Sequence, residues 1–172
     1  RMSYRQRDIV AQRLRDLDKM RRYLDYSTQR MRQGDIAARE PGLLNDAEAE
    51  ILAAFRVRFA EYQEHLGKLL KAIALEEGVA LVGMADVLAF AEKAHIIDSA
   101  EDWKEPRDVR NAIAHEYEED AATIKALIAR MLDLVGTLER IHDRAAKYCA
   151  KKLAVPHAGH FIPPAPTLGE KR

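Results

Sequence analysis

Cysteine is nearly absent from this 172-residue chain, where Cys149 stands alone. No intramolecular disulfide can form and no cysteine-rich zinc site can be built, which suits a reducing, cytoplasmic compartment. Net charge is absent too, because 28 Lys and Arg balance 28 Asp and Glu. A strongly basic whole-protein nucleic-acid binder is thereby excluded, though a local basic patch is not. Long apolar runs are also missing: no window reaches the roughly 18 apolar residues that a membrane-spanning helix needs. Arg1 to Arg7 form a basic start, but no apolar h-region follows, so no signal peptide is expected. Glycine and proline are scarce before residue 156, and four of the six prolines fall after Ala154. Those four make residues 154–172 an extended or disordered tail and leave residues 1–153 as one domain.

With 48% hydrophobic and 33% charged residues, the chain has enough apolar matter for a single core. The pattern within it is helical, with apolar residues recurring at steps of three and four. A first helix is expected from about Ser3, its N-cap, to Gln33, stopped by Gly34. Its stripe is Val10, Leu14, Leu17, Met20 or Arg21, and Leu24. A loop, Gly34 to Asn45, leads to a capping box formed by Asn45 and Glu48. The second helix then runs to about Glu77 on Leu52, Phe55, Phe59, Tyr62, Leu66, Leu69 and Ile73, and Gly78 ends it. A short third helix spans about Met84 to Ala94 on Val87, Leu88 and Ala91. Pro106 belongs in the first turn of a fourth helix, about Arg107 to His115, because inside a helix its ring would clash with the preceding turn. The fifth runs from about Asp120 to Lys151 on Ile124, Leu127, Met131, Leu134, Leu138, Ile141, Ala145 and Tyr148. No strand pattern competes, and no repeat is visible at solenoid periods. The fold class is all-α, an antiparallel up-and-down bundle of four to five helices.

Charge is uneven along the chain. Residues 1–33 carry a net +6, residues 34–120 a net −11 and residues 121–172 a net +5. The first and last helices therefore offer either a phosphate-attracting face or simply well-solvated surfaces.

One segment stands apart, Glu105-Pro106-Arg107-Asp108-Val109-Arg110-Asn111-Ala112-Ile113-Ala114-His115-Glu116-Tyr117. It contains Arg, four residues, His, one residue, Tyr, a pattern expected by chance only about 0.02 times in a chain of this composition. This segment, late in the penultimate helix of an all-helical chain, resembles the HEPN superfamily. It is most similar to the HepT-type toxins and to their relatives described as substrate-binding subunits of minimal nucleotidyltransferases. The resemblance extends over about Asn45 to Ala150, through Leu75-Glu76-Glu77-Gly78 and the acidic turn Glu101-Asp102-Trp103. It implies a metal-independent endoribonuclease toxin of a type VII-like toxin–antitoxin pair that needs no cofactor. A homodimer, an RNA substrate and a minimal nucleotidyltransferase antitoxin are implied with it. The alternative from the same relatives is a non-catalytic adaptor that docks the nucleotidyltransferase.

The chemistry explains why these residue types matter. RNA cleavage by the neighbouring 2′-hydroxyl needs an acid–base group titrating near neutrality, which His115 supplies. It needs a fixed cation on the phosphorane, which Arg110 supplies as a bidentate fork, with Asn111 as positioning residue. On an ideal helix Asn111 and His115 share a face, whereas Arg110 and His115 are roughly 140° apart. A two-fold pairing of this helix with its copy would join Arg and His from both chains, and Ala112 and Ala114 would permit close approach. The resemblance implies that Tyr117 is modified with AMP by the partner, and a bulky anion there would neutralise Arg110 and block RNA phosphate. Plainer roles remain open: Arg110 with His115 as a structural pair at a helix end, Tyr117 as a packing aromatic and Asn111 as an inward polar bond.

Other candidates are weaker. Glu92/His95 and Glu139/His142 form two Glu-x-x-His pairs, but about 0.5 such pairs arise by chance. The remaining helices offer no carboxylate within the stripe, so no metal site is expected. His157 and His160 lie in the proline-rich tail, where ordering entropy opposes a metal site. His65 and His142 read as bundle histidines, Cys149 as a small buried apolar residue, and Trp103 as a packing anchor under the turn before the motif.

Overall fold

The computed structural model describes residues 4–115 and 119–155. Five α-helices form an all-α bundle, and the described residues contain no strand. They are α1 (Tyr4–Gln33), α2 (Asp46–Glu76), α3 (Met84–Lys93), α4 (Glu101–Ile113) and α5 (Ala121–Lys152). Short 3-10 turns, Ile36–Ala38 and Pro41–Leu43, break the connection from α1 to α2 that the sequence presents as a plain loop. Ser3, the expected N-cap of α1, lies outside the described residues, as does the tail from Pro156 onward.

Cross-helix contacts give the directions. Arg7 meets Glu76 near one end of α1 and α2, and Arg58 donates to Ser27 Oγ (2.7 Å) near the other. These two helices are therefore antiparallel. Along α2, Arg56, Gln63 and Gly67 meet Ile113, Arg110 and Trp103 in turn, so α4 runs antiparallel to α2. Arg130–Glu105 and Arg144–Asp98 set α5 antiparallel to α4 in the same way. The result is up-down-up-down, with the short α3 between α2 and α4.

The helix ends follow local chemistry. Asn45 and Glu48 form the capping box, with Glu48 N donating to Asn45 Oδ1 (2.9 Å) and Asn45 N to Glu48 Oε1 (3.1 Å). Asp120 caps α5 by accepting from Thr123 N (2.8 Å). Gly78, at φ +74°, ends α2: its N–H bonds Leu75 O while Val79 N bonds Ala74 O, the two bonds of a Schellman stop. At the end of α1 the left-handed residue is Asp35 (φ 48°) rather than Gly34. His95 takes the same left-handed conformation (φ 59°) after α3, with Ile96 N bonded to Ala91 O.

Helix α4 differs most from the sequence expectation. It begins at Glu101, not at Arg107, and Pro106 lies inside it. Glu101 and Asp102 in its first turn suit a helix N-terminus, and Asp102 accepts from Asp98 N (3.1 Å). Pro106 denies a partner only to the Asp102 carbonyl, close to that end, while Trp103 and Pro106 are both buried. At its other end α4 stops at Ile113, so Ala114 and His115 form a turn beyond the helix.

The expected stripes line the core. In α2 all seven named residues are buried, and in α5 only Leu127 and Tyr148 are left half-buried. Leu153 and Val155 also pack into the core past the end of α5, with Val155 N bonded to Cys149 O (3.1 Å). One polar cluster interrupts the core where α1, α2 and α5 meet. His142 is fully buried, with Tyr62 Oη 2.6 Å from its Nδ1 and Asp18 Oδ1 3.1 Å from its Nε2. Burial holds the Tyr62 pKa well above its usual value, so the phenol keeps its proton where it shares a hydrogen bond with His142 Nδ1, while Nε2 faces Asp18. Beside them Arg21 occupies the stripe position it shares with Met20 and binds Asp143 (2.6 Å) and Glu139 (3.2 Å). Burial, then the adjoining Asp25 carboxylate, push the Glu139 carboxyl up to about 7.

Two measurements check this packing. Folded Glu139 holds a proton that the unfolded chain gives up near 4.5, so its stabilising effect is complete below that pH and is lost as pH rises through about 7. Stability to denaturant is therefore expected to fall by on the order of 1–3 kcal/mol between about pH 5 and pH 8, and Glu139→Gln is expected to flatten the profile. A Cβ on Gly67 would lie 2.8 Å from Trp103 Cζ2. Gly67→Ala is expected to destabilise by about 1–2 kcal/mol in urea unfolding, since overpacking outweighs the helix-propensity gain.

Candidate functional site

The segment that carries the motif straddles the end of α4. Arg110 is in the last turn of that helix, Asn111 follows, and His115 is exposed on the turn two residues past Ile113. Tyr117 lies outside the described residues. Helix geometry therefore relates Arg110 to Asn111 but no longer extends to His115.

Arg110 is held from α2. Its Nη1 donates to Gln63 Oε1 at 2.8 Å, and its Nη2 lies 3.6 Å from Glu64 Oε2. The side chain keeps 31% of its surface exposed, so one edge of the guanidinium is anchored while the rest reaches solvent. Gln63 is 1% exposed, and a buried amide beside Tyr62 and Leu66 is the sequence signal that would have pointed to this contact. Glu64 also meets Lys68 at 3.5 Å. Arg56 secures the end of α4 by donating to Ile113 O (3.0 Å).

These residues border a groove of about 350 Å³ between α2 and α4. Its rim carries Lys68, Lys71, Arg107 and Arg110, with Asn111 beside them and Glu64 as the opposing charge. Gly67, Met84 and Trp103 supply the apolar part. Trp103 is 6% exposed and acts as the expected packing anchor. The Arg107 guanidinium stacks over its ring at 5.5 Å and donates to Asp108 Oδ1 through Nε (3.2 Å) and Nη2 (3.0 Å). Arg110 and Asn111 are thus brought into one groove, and His115 is not among the residues that line it.

Chemically, the groove attracts an anion. Arg107 and Arg110 are planar donors already oriented by carboxylate and amide partners, and Lys68 and Lys71 add point charges. His115 lies exposed close by in sequence, but a bond-making role requires another surface to carry a phosphate to it.

The other sequence candidates sit elsewhere. Glu92 and His95 are exposed at the end of α3, where His95 serves as the left-handed stop. Glu139 and His142 are engaged with Arg21, Tyr62 and Asp18. The described residues contain no group of three or more His, Cys, Asp or Glu able to hold a metal. His157 and His160 lie outside the described residues. Burial pushes the Cys149 thiol up to about 12, which leaves it a poor nucleophile. Part of the basic charge of α1 and α5 is directed inward to the bundle, because Arg7 and Arg21 face carboxylates of neighbouring helices and Arg144 faces Asp98 just before α4. No described helix is long and apolar enough to cross a membrane.

No protein-family model, curated protein or solved structure matches the chain.

The Gln63 contact yields a direct check. Gln63→Glu keeps the shape but adds a second carboxylate against Arg110. It is expected to weaken binding of an uncleavable single-stranded oligonucleotide by about threefold to tenfold at low salt, measured by fluorescence anisotropy. Affinity equal to that of the parent would remove Arg110 from anion recognition.

Proposed function

We propose that the chain is a cytoplasmic, metal-independent endoribonuclease that works as a homodimer, the toxin of a pair whose antitoxin is a minimal nucleotidyltransferase. The observation that carries this reading is the R-x4-H-x-Y pattern of Arg110, His115 and Tyr117 in the sequence, with Arg110 presented in a cationic groove and His115 exposed just past the end of α4.

In this reading Arg110 grips a phosphate oxygen and stabilises the charge that builds on the phosphorane. Asn111, its neighbour in the groove, positions the sugar-phosphate. His115 takes the proton from the 2′-hydroxyl as the 2′-oxygen bonds to phosphorus. The bond from phosphorus to the 5′-oxygen breaks, and that oxygen leaves with a proton as a 5′-hydroxyl, opposite a 2′,3′-cyclic phosphate. A single chain separates Arg110 in the groove from His115 on the turn. A two-fold copy of α4, approaching across Ala112 and the exposed Ala114, would bring the missing partner to each phosphate.

Regulation follows from Tyr117. AMP transferred to its hydroxyl would place a phosphate two residues from His115. That anion would compete with RNA for Arg110 and close the site.

The test is digestion of total RNA by the purified chain in EDTA, with end-group analysis and an intact-mass measurement of Tyr117. Cleavage leaving 2′,3′-cyclic phosphate ends, reduced at least about a hundredfold in both Arg110→Ala and His115→Ala, is the expected result. A folded, unmodified dimer that cleaves nothing would overturn it in favour of an adaptor that docks the nucleotidyltransferase.

A further inference from the structure

The ribonuclease reading uses one corner of the groove between α2 and α4, and the rest of that groove has no task. Two facing rows of side chains line it. Glu64, Lys68 and Lys71 share one face of α2, and Arg107, Arg110 and Asn111 share one face of α4. Four cations stand against one carboxylate, and that carboxylate is itself engaged by Arg110 and Lys68.

The apolar part of the groove is unusual. Gly67 lets Trp103 and Met84 close over α2: a Cβ there would come within 2.8 Å of Trp103 Cζ2 and 3.3 Å of Met84 Cε. Trp103 is nine-tenths buried, yet its indole Nε1–H finds no hydrogen-bond partner among the described residues. A buried donor without an acceptor is costly, and such orphans call for an explanation. The Arg107 guanidinium, stacked on one face of this indole and held by Asp108, offers a flat cationic plane toward the groove.

We infer that this groove is a subsite for one nucleotide of single-stranded RNA flanking the bond to be cut. The inference rests on the ribonuclease reading for the identity of its ligand. Lys68, Lys71 and Arg107 take the phosphate. The base lies over Met84 and the edge of Trp103 against the Arg107 plane, and a small shift of the indole on binding lets a base carbonyl accept from its N–H. A free inorganic anion would need the cations alone, and nothing in it would use the apolar slot or the orphan donor. Single-stranded RNA offers both a phosphate and an unstacked base with carbonyl acceptors. A second copy of this chain fits the groove itself less well than it fits the face at Ala112 and Ala114, since apposing two grooves sets one cationic rim against another.

The sequence provides its own reporter, because Trp103 is the single tryptophan. The full chain is titrated with a single-stranded 2′-O-methyl RNA of about six nucleotides, which keeps base and phosphate but lacks the nucleophile. Trp103 emission and the anisotropy of a labelled copy are followed together. The expected result is a saturable change in emission that parallels the anisotropy. Lys71→Glu, a change at an exposed position, is expected to weaken binding about tenfold at low salt. Gly67→Ala is expected to abolish the emission change, with Lys71→Glu as the variant that leaves the packing intact.

Anisotropy that reports binding while Trp103 emission stays constant would overturn the subsite, as would Lys71→Glu binding like the parent. An emission change that follows protein concentration instead of RNA would overturn it in favour of a self-association face. Cleavage of unmodified RNA, assayed in parallel, separates the two readings. Groove binding without cleavage sinks the nuclease and keeps the subsite. Cleavage with a silent Trp103 sinks the subsite and keeps the nuclease.

Discussion

The contact of Trp103 with Gly67 decides how α4 lies on α2, and the position of the motif depends on it. An indole ring can approach a helix backbone this closely only where the facing residue has no side chain. Once Trp103 is seated there, antiparallel packing carries α4 along α2 and brings Arg110 opposite Gln63 and Glu64 about two turns later. The end of the helix then falls where Arg56 can bond the Ile113 carbonyl. Arg110 is therefore aimed by an apolar contact some distance away, as well as by its own polar partners.

A second constraint works on the opposite side of α2. Tyr62, His142 and Asp18 bring together one polar group from each of three helices, with Tyr62 and His142 fully buried and Asp18 half-buried at the edge of the core. Such a group is tolerated only where the others meet it, so this cluster penalises any slip of α1 or α5 along α2. Arg21 with Glu139 and Asp143 extends the same matching toward solvent. Helix α2 is thus registered by a polar match on one flank and by a close apolar approach on the other, and the groove opens beside the apolar one.

Charge is instructive because its distribution in sequence misleads about its distribution in space. The segment from 34 to 120 is the most acidic part of the chain, yet it provides all four cations of the groove. Its surplus carboxylates are placed elsewhere: Glu105 and Asp98 reach α5, and Glu76 reaches α1. Conversely, the basic α1 and α5 direct part of their charge toward those carboxylates. Net charge by segment cannot resolve this, because a helix sorts its residues by angle and neighbouring residues face different partners.

The amino-acid sequence alone determined the all-helical class, the long helices and most of the core. Steps of three and four are a direct imprint of helix geometry, and Asn45-Glu48 and Gly78 act within a few residues of themselves. It also marked Arg110, Asn111 and His115 as a group, since a spaced motif is visible in one dimension. The start of α4 departs from what Pro106 suggests, because a local rule about proline yields when Trp103 gains burial in an earlier turn. Only the tertiary structure decided that Arg110 and Asn111 enter a groove while His115 stands on a turn outside it. It likewise decided that Gln63, Glu64 and Lys71 from a distant helix share that groove. Those relations depend on the register of one helix against another, which a few long-range contacts set and which no local pattern records.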